Sequence, residues 1–92
     1  MPTEPVFLRW EHTLPPHHKF YEVEVELSLF YPKLLTRRWG RIGGKRPRSI
    51  RMRVADGEEL QQQVERLRRR RQAHGYRLVQ ELQGTAIAAP AA

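Results

Sequence analysis

The chain of 92 residues contains no cysteine, and this absence excludes disulfides and thiolate-ligated metal sites. No apolar run approaches the roughly 20 residues that are needed to span a bilayer. The first residues lack the basic start and the apolar stretch of a signal peptide, so we expect a cytoplasmic protein without membrane association. The length allows one small domain and no second core.

Acidic residues are fewer than basic ones, with 10 Asp and Glu against 17 Lys and Arg, and the net charge is +7. The imbalance is concentrated in one part of the chain. Residues 1–32 contain two basic and five acidic residues (2 − 5 = −3), whereas residues 33–92 contain 15 and five (15 − 5 = +10). A basic segment of this size indicates a polyanionic partner, namely DNA, RNA or an anionic surface. The alternative is a soluble protein that is merely basic.

Catalytic and metal-binding motifs are also absent from the sequence. We find no phosphate-binding loop, nucleophile elbow or dinucleotide fingerprint. The four histidines do not have the spacing of metal ligands, and the adjacent pair would point apart in an extended chain; they are His12, His17, His18 and His74. We therefore expect no enzyme activity, no cofactor and no metal.

Period-2 alternation of apolar and polar residues predicts the strands of a sheet with one buried face. The clearest strand runs from Lys19 to Tyr31, where every second residue from Tyr21 onward is apolar. The other predicted strands are Val6 to Glu11, Leu34 to Gly43, and Arg48 to Val54.

A helix is predicted from about Gly57 to His74. Asp56 can cap its start, and Glu59 three residues later completes a pattern like a capping box. Gly75 supplies a stop, and Leu60, Val64 and Leu67 form the apolar stripe. We therefore predict an α+β domain over residues 1–79, an antiparallel sheet of about four strands with one long helix on its apolar face. Residues 76–79 could add a short last strand, and residues 80–92 are expected to form a flexible tail.

The pairing of the second and third predicted strands depends on the turn between them. A two-residue turn at Pro32-Lys33 places Val25 opposite Gly40, Glu26 opposite Trp39 and Glu24 opposite Arg41. This register puts Trp39 on the wet face of the sheet, opposite the helix. A slip of one residue would reverse every assignment.

The segment from Leu34 to Gly43 contains the strongest candidate site. On a strand, Trp39 lies between Arg37 and Arg41 on one face, and this pairing suits nucleic acid because arginine binds phosphate and an aromatic ring stacks on a base or sugar. Gly43 and Gly44 would leave backbone amides open to phosphate. The candidate nucleic-acid-binding residues are Trp39, Arg41, Arg37, Lys45, Arg46, Arg48, Arg51 and Arg53.

Two structural alternatives apply to these residues. Arg41 could stabilise the sheet as the cross-strand partner of Glu24, and Trp39 could belong to the core. A second basic cluster, Arg66 and Arg68 to Arg71, lies on the predicted helix, where a solvated helix face is the simpler interpretation.

These residues also carry a family resemblance. Trp39-Gly40-Arg41 lies within Arg38 to Gly43, which reads Arg-Trp-Gly-Arg-Ile-Gly, and an upstream Lys-Phe-Tyr and a helix that ends in Gly-Tyr occur in the same order. The chain thus resembles the WGR domain family from roughly Val6 to Val79. The resemblance implies the same α+β arrangement.

The resemblance also implies a function. The best understood members are DNA-break-sensing poly(ADP-ribose) polymerases, in which the motif Trp packs against the sugar at a broken DNA end and the motif Arg helps hold the DNA. Those roles would fall on Trp39 and Arg41, although His18 stands where the family often has Asn. Stand-alone bacterial WGR proteins have a similar layout.

We therefore expect a non-catalytic nucleic-acid-binding module, with DNA ends or strand breaks as the expected ligand. Such a module would be a monomer or a weak dimer through an open sheet edge. The alternative is a protein-interaction adaptor that docks on an acidic partner.

Overall fold

The computed structural model describes residues 3–28 and 30–85, with Thr3 and Thr85 described by their backbone alone. The described residues form a five-stranded antiparallel sheet and one helix, so the α+β class is confirmed. The strand order across the sheet is β4-β3-β2-β1-β5. The elements are β1 (Thr3–His12), β2 (Lys19–Val25), β3 (Lys33–Arg41), β4 (Arg48–Val54), α1 (Gly57–Ala73) and β5 (Arg77–Thr85).

The hydrophobic core lies between α1 and one face of the sheet, which we call the helix-side face; the other is the open face. Leu60, Val64 and Leu67 of α1 are buried, as their helical spacing predicted. The sheet contributes alternate residues of its central strands, because side chains on a strand alternate between faces; they include Leu8, Trp10, Tyr21, Val23, Val25 and Leu35. Among the described residues no helix is long and apolar enough to cross a membrane.

Local signals fix both ends of α1. The Oδ1 atom of Asp56 accepts a hydrogen bond from the Glu59 amide at 2.8 Å, and Oε1 of Glu59 accepts one from the Ala55 amide at 2.7 Å. The helix ends before Gly75, whose φ of +87° lies in the left-handed region that favours glycine. The predicted helix is therefore confirmed.

The sheet has one more long strand than the sequence pattern indicated. β5 runs from Arg77 to Thr85 and pairs with β1 along its whole length, so it continues past the domain boundary predicted at residue 79. β5 lies at the edge of the sheet, and its Leu82 is exposed. The alternation of apolar and polar residues along β5 is therefore weak in the sequence. Residues 86–92, the rest of the predicted tail, lie outside the described residues.

The predicted pairing of β2 with β3 is wrong. The structure pairs Val25 with Leu35, whereas the two-residue turn would have paired it with Gly40. Because the shift is an odd number of residues, it moves Trp39 from the open face to the helix-side face.

In the observed register Lys33 belongs to β3 and not to the turn. Its side chain is 4% exposed, since Nζ donates a 2.8 Å hydrogen bond to the Glu4 carboxylate, which also accepts one from the Tyr31 hydroxyl. β2 ends at Val25 and β3 begins at Lys33, and the described residues 26–28 and 30–32 belong to the connection between them.

Candidate nucleic-acid interface

An open groove with a volume of about 340 Å³ lies at one end of the helix-side face, close to where α1 ends. We call it the Trp39 groove. Its wall is made by the connection between β1 and β2, by the ends of two strands and by the segment after α1. The residues that line it are Pro16, His17, His18, Lys19, Trp39, Gly40, Arg41 and Tyr76.

Trp39 joins the core and also lines the groove. Its ring lies nearly parallel to Tyr21, its cross-strand partner, with centroids 5.7 Å apart and 12° between the planes. Tyr21 in turn meets Trp10 edge to face at 6.3 Å. The Trp39 ring is only partly buried, so the packing fixes its orientation and leaves part of its surface available for stacking.

Two positive charges face each other at the mouth of the groove. Lys19 of β2 and Arg41 of β3 are direct partners in the ladder, and the predicted pairing of Arg41 with Glu24 is wrong. No ion pair among residues 3–28 and 30–85 includes either side chain. Like charges directly opposite each other destabilise a sheet, and a bound anion would remove that repulsion.

Tyr76 and Lys19 were missed as site residues by the sequence argument, although both belong to segments that carry the family resemblance. Tyr76 meets Tyr21 and His12 edge to face, with centroid distances of 6.5 and 5.7 Å. The Lys19 Nζ lies 5.5 Å from the centre of the Tyr76 ring. This cation–π contact holds the lysine beside the groove.

His17, which lines the groove, packs on the buried His12. The His12 and His17 rings are 4.2 Å apart between centroids, and His12 is buried. Burial, together with the nearby charges of His17 and Lys19, lowers the pKa of His12. In the described part of the chain, no three His, Asp or Glu side chains are grouped so that they could hold a metal ion.

The basic loop after β3 lies next to the groove. Gly43 has a φ of +80°. The Gly44 amide donates a hydrogen bond to the Arg41 carbonyl at 2.8 Å, so this amide, contrary to the expectation, is not open to phosphate. A Cβ at Gly40 would lie 3.3 Å from the Pro47 Cα, which shows how closely the loop packs on β3. The exposed cations of this region are Lys45, Arg46 and Arg48, and Arg48 is the ladder partner of Trp39.

The eight candidate residues do not form one surface. Arg37 shares the helix-side face with Trp39, as alternation predicted. Arg51 and Arg53 pair with Thr36 and Leu34 on the open face, so grouping them with Trp39 was wrong. The expectation that α1 lies on the face opposite Trp39 is wrong for the same reason.

The open face uses its arginines to neutralise carboxylates. Arg9 donates to Glu22 at 2.6 Å and to Glu11 at 2.9 Å. Arg38 bridges Glu22 at 3.1 Å and Glu24 at 2.5 Å. The acidic residues of the N-terminal third are thus largely compensated here, away from the Trp39 groove.

A larger cavity, of about 830 Å³, lies beside the first turns of α1. Its lining combines Glu58 and Glu65 with Arg66 and Arg69. This mixture of charges does not favour a polyanion, and we therefore regard the Trp39 groove as the candidate site.

One comparison with known proteins identifies the family of the chain. The model of the WGR domain family matches residues 8–83, which include every residue that lines the Trp39 groove. No curated protein and no solved structure matches the chain at a significant level. WGR domains are known from the DNA-binding modules of poly(ADP-ribose) polymerases. Because the family match covers most of the chain, this protein belongs to the WGR domain family.

Proposed function

We propose that this protein is a non-catalytic nucleic-acid-binding module that holds a DNA end or strand break in the Trp39 groove. The observation that carries the proposal is the Lys19–Arg41 pair beside the half-buried Trp39. Two uncompensated cations next to a fixed aromatic ring combine phosphate binding with stacking. The family membership supports the same function.

In this proposal the two kinds of contact have different roles. A phosphate between Lys19 and Arg41 would position the strand without reading its sequence. The exposed part of Trp39 would then pack against a sugar or base, which is accessible where a duplex ends or is broken. Lys45, Arg46 and Arg48 would add phosphate contacts outside the groove.

Binding of four labelled ligands over a salt series tests the proposal. The ligands are a blunt duplex, a nicked duplex, single-stranded DNA and an RNA hairpin. Trp39→Ala should weaken binding of the preferred form by about 1–3 kcal/mol, the usual contribution of one stacked base. Phe30→Ala is the matched control, because this aromatic side chain is 75% exposed and lies in the β2–β3 connection, outside the groove.

The unfolding midpoint of each variant shows whether the domain remains folded, since Trp39 also packs on Tyr21. A folded Trp39→Ala protein with unchanged affinity for all four ligands would contradict the stacking role. Weak binding that is equal for all forms and disappears at moderate salt would indicate only general charge attraction.

The alternative function is an adaptor for an acidic protein. Exposed arginines distant from the groove favour it, since Arg51 and Arg53 lie on the open face and Arg66, Arg69 and Arg70 on α1. A purified acidic partner that binds equally well after nuclease digestion, and whose binding is lost on changing these arginines, would support the adaptor.

A further inference from the structure

Two arginines from different elements converge on Tyr21. Arg71, in the last turn of α1, has its guanidinium carbon 4.1 Å from the centre of the Tyr21 ring and 5.0 Å from that of Tyr76. Arg37, on β3, has Nη1 3.5 Å from the Tyr21 hydroxyl. A single tyrosine thus brings the two guanidinium groups close together on the helix-side face.

Neither arginine has a carboxylate partner among the described residues. The Nε atoms of both are buried and have no hydrogen-bond partner in the part of the chain that the structure describes. Arg9, Arg38 and Arg68 of the same sheet and helix each bind a glutamate. The chain itself encloses these Nε atoms, but both side chains are partly exposed and carry a charge that no carboxylate of the described residues neutralises, so the exposed parts of Arg37 and Arg71 are suited to an anion.

The position of the two arginines relates them to the Trp39 groove. Arg37 precedes Trp39 by two residues on the same face, which is a step of about 7 Å along β3. Its ladder partner on β4 is Ile50, whose side chain is 46% exposed, so this side of the sheet beyond α1 is open. A strand that leaves the groove past Trp39 would pass over this surface.

We propose that Arg37 and Arg71 form a phosphate-binding subsite, which receives a backbone phosphate of the nucleic acid held in the Trp39 groove. The assignment to a nucleic-acid phosphate rests on the proposed function; the anion subsite itself does not. Contact with aromatic rings accounts for the placement of Arg71, but it leaves both guanidinium charges without a carboxylate partner among the described residues. A phosphate would neutralise both, because its oxygens accept hydrogen bonds from the exposed N–H groups of guanidinium.

The first test uses inorganic pyrophosphate and the wild-type chain, and it needs no nucleic acid. The Nε–H resonances of the arginines are followed by ¹⁵N NMR during a titration. Those of Arg37 and Arg71 should shift together with one dissociation constant, which should rise about 10-fold in Arg71→Gln. If these two resonances stay in place while those of exposed arginines move, the subsite does not exist.

Arg69→Gln is the matched control, because it removes the same charge from an exposed position on the same helix. It should change pyrophosphate affinity by less than about two-fold. Equal losses in Arg69→Gln and Arg71→Gln would mean that only net charge matters and would overturn the subsite. Unfolding midpoints of both variants exclude a loss caused by misfolding.

The second test uses a short DNA duplex over a salt series. Arg71→Gln should reduce the slope of log affinity against log salt by about one, the effect of one lost phosphate contact, and Arg69→Gln should leave it unchanged. If the wild type binds the duplex and both variants keep its slope, the subsite does not receive a nucleic-acid phosphate, although the proposed function stands. If the wild type binds no nucleic acid, the proposed function fails together with this assignment, and the pyrophosphate titration decides whether an anion subsite exists.

Discussion

At the scale of single residues, Trp39 links the fold to the surface. It packs against Tyr21, whose other neighbours are Trp10, Tyr76 and Arg71. A side chain anchored in this way loses little freedom when it meets a ligand, which favours affinity. The two structural interpretations of Trp39, core residue and ligand contact, are therefore compatible.

His12 gives the domain a stability that depends on pH. Burial and the neighbouring His17 and Lys19 lower its pKa below the ordinary value of 6.5. As the pH falls, His12 is therefore protonated in the unfolded chain at a higher pH than in the folded chain. Its contribution to stability is thus complete only well above the unfolded-state pKa of about 6.5, and it is lost as the pH falls through this value and then through the folded-state pKa. We expect the free energy of unfolding to decrease from about pH 7.5 to 5.

His12→Gln, compared with the wild type by chemical denaturation over the same pH range, measures this effect. The wild type should lose more stability than the variant on acidification. Glu4 and Glu81 add an acid dependence of their own, because hydrogen bonds from Lys33 and Tyr31 outweigh burial and lower the pKa of Glu4, and a hydrogen bond from Arg68 lowers the pKa of Glu81. Both proteins contain these carboxylates, so their contribution cancels in the comparison. Parallel curves for the two proteins would show that His12 does not carry the dependence.

At the scale of elements, α1 was predictable because its signals are local. Asp56, Glu59 and Gly75 act within a few residues of the helix ends, and three apolar residues at helical spacing define its buried side. The pairing of β2 with β3 was not predictable in this way. The observed pairing goes with a contact between Lys33 and Glu4, 29 residues earlier, and the sequence pattern does not reveal such a long-range contact.

The candidate site was predictable to a similar extent. Alternation along β3 correctly placed Arg37 and Trp39 on one face, and the family resemblance directed attention to Trp39 and Arg41. The register error concealed Lys19 as the partner of Arg41, and it placed Trp39 on the open face together with Arg51, where only Arg51 lies. Long-range pairing thus determined which charges meet, and no local signal encodes it.

Removal of the helix cap tests the argument for α1. Asp56→Ala deletes the acceptor of the Glu59 amide and should lower the free energy of unfolding by about 1 kcal/mol, within the range of about 0.5–2 kcal/mol for such caps. For a domain of this size, thermal denaturation should show a fall of the midpoint by about 4–8 °C per kcal/mol. Asp56→Asn retains an oxygen acceptor and should stay close to the wild type; an equal loss in both variants would mean that the carboxylate acts in another way.

At the scale of the whole molecule, the net charge of +7 is unevenly distributed over the surface. On the open face, ion pairs with Arg9 and Arg38 compensate the glutamates of β1 and β2. Around the Trp39 groove, cations face each other or lie exposed without a partner among the described residues, as Arg41 and Lys19 do. Part of the uncompensated charge therefore lies beside one aromatic ring, which favours a located binding site, and part lies on the open face and on α1, which favours general attraction.

Two double variants with the same change in net charge separate these possibilities. Arg41→Gln/Arg48→Gln removes two cations from the helix-side face, and Arg51→Gln/Arg53→Gln removes two from the open face. If the groove binds DNA, the first pair should lower the affinity at least ten-fold and reduce the salt slope by about two, since each lost phosphate contact removes about one. The second pair should change affinity less than about three-fold, because charges beyond a Debye length of about 8–10 Å are largely screened. Equal losses in the two folded variants, measured by fluorescence anisotropy with one labelled duplex, would mean that total charge decides binding and that the groove has no special role.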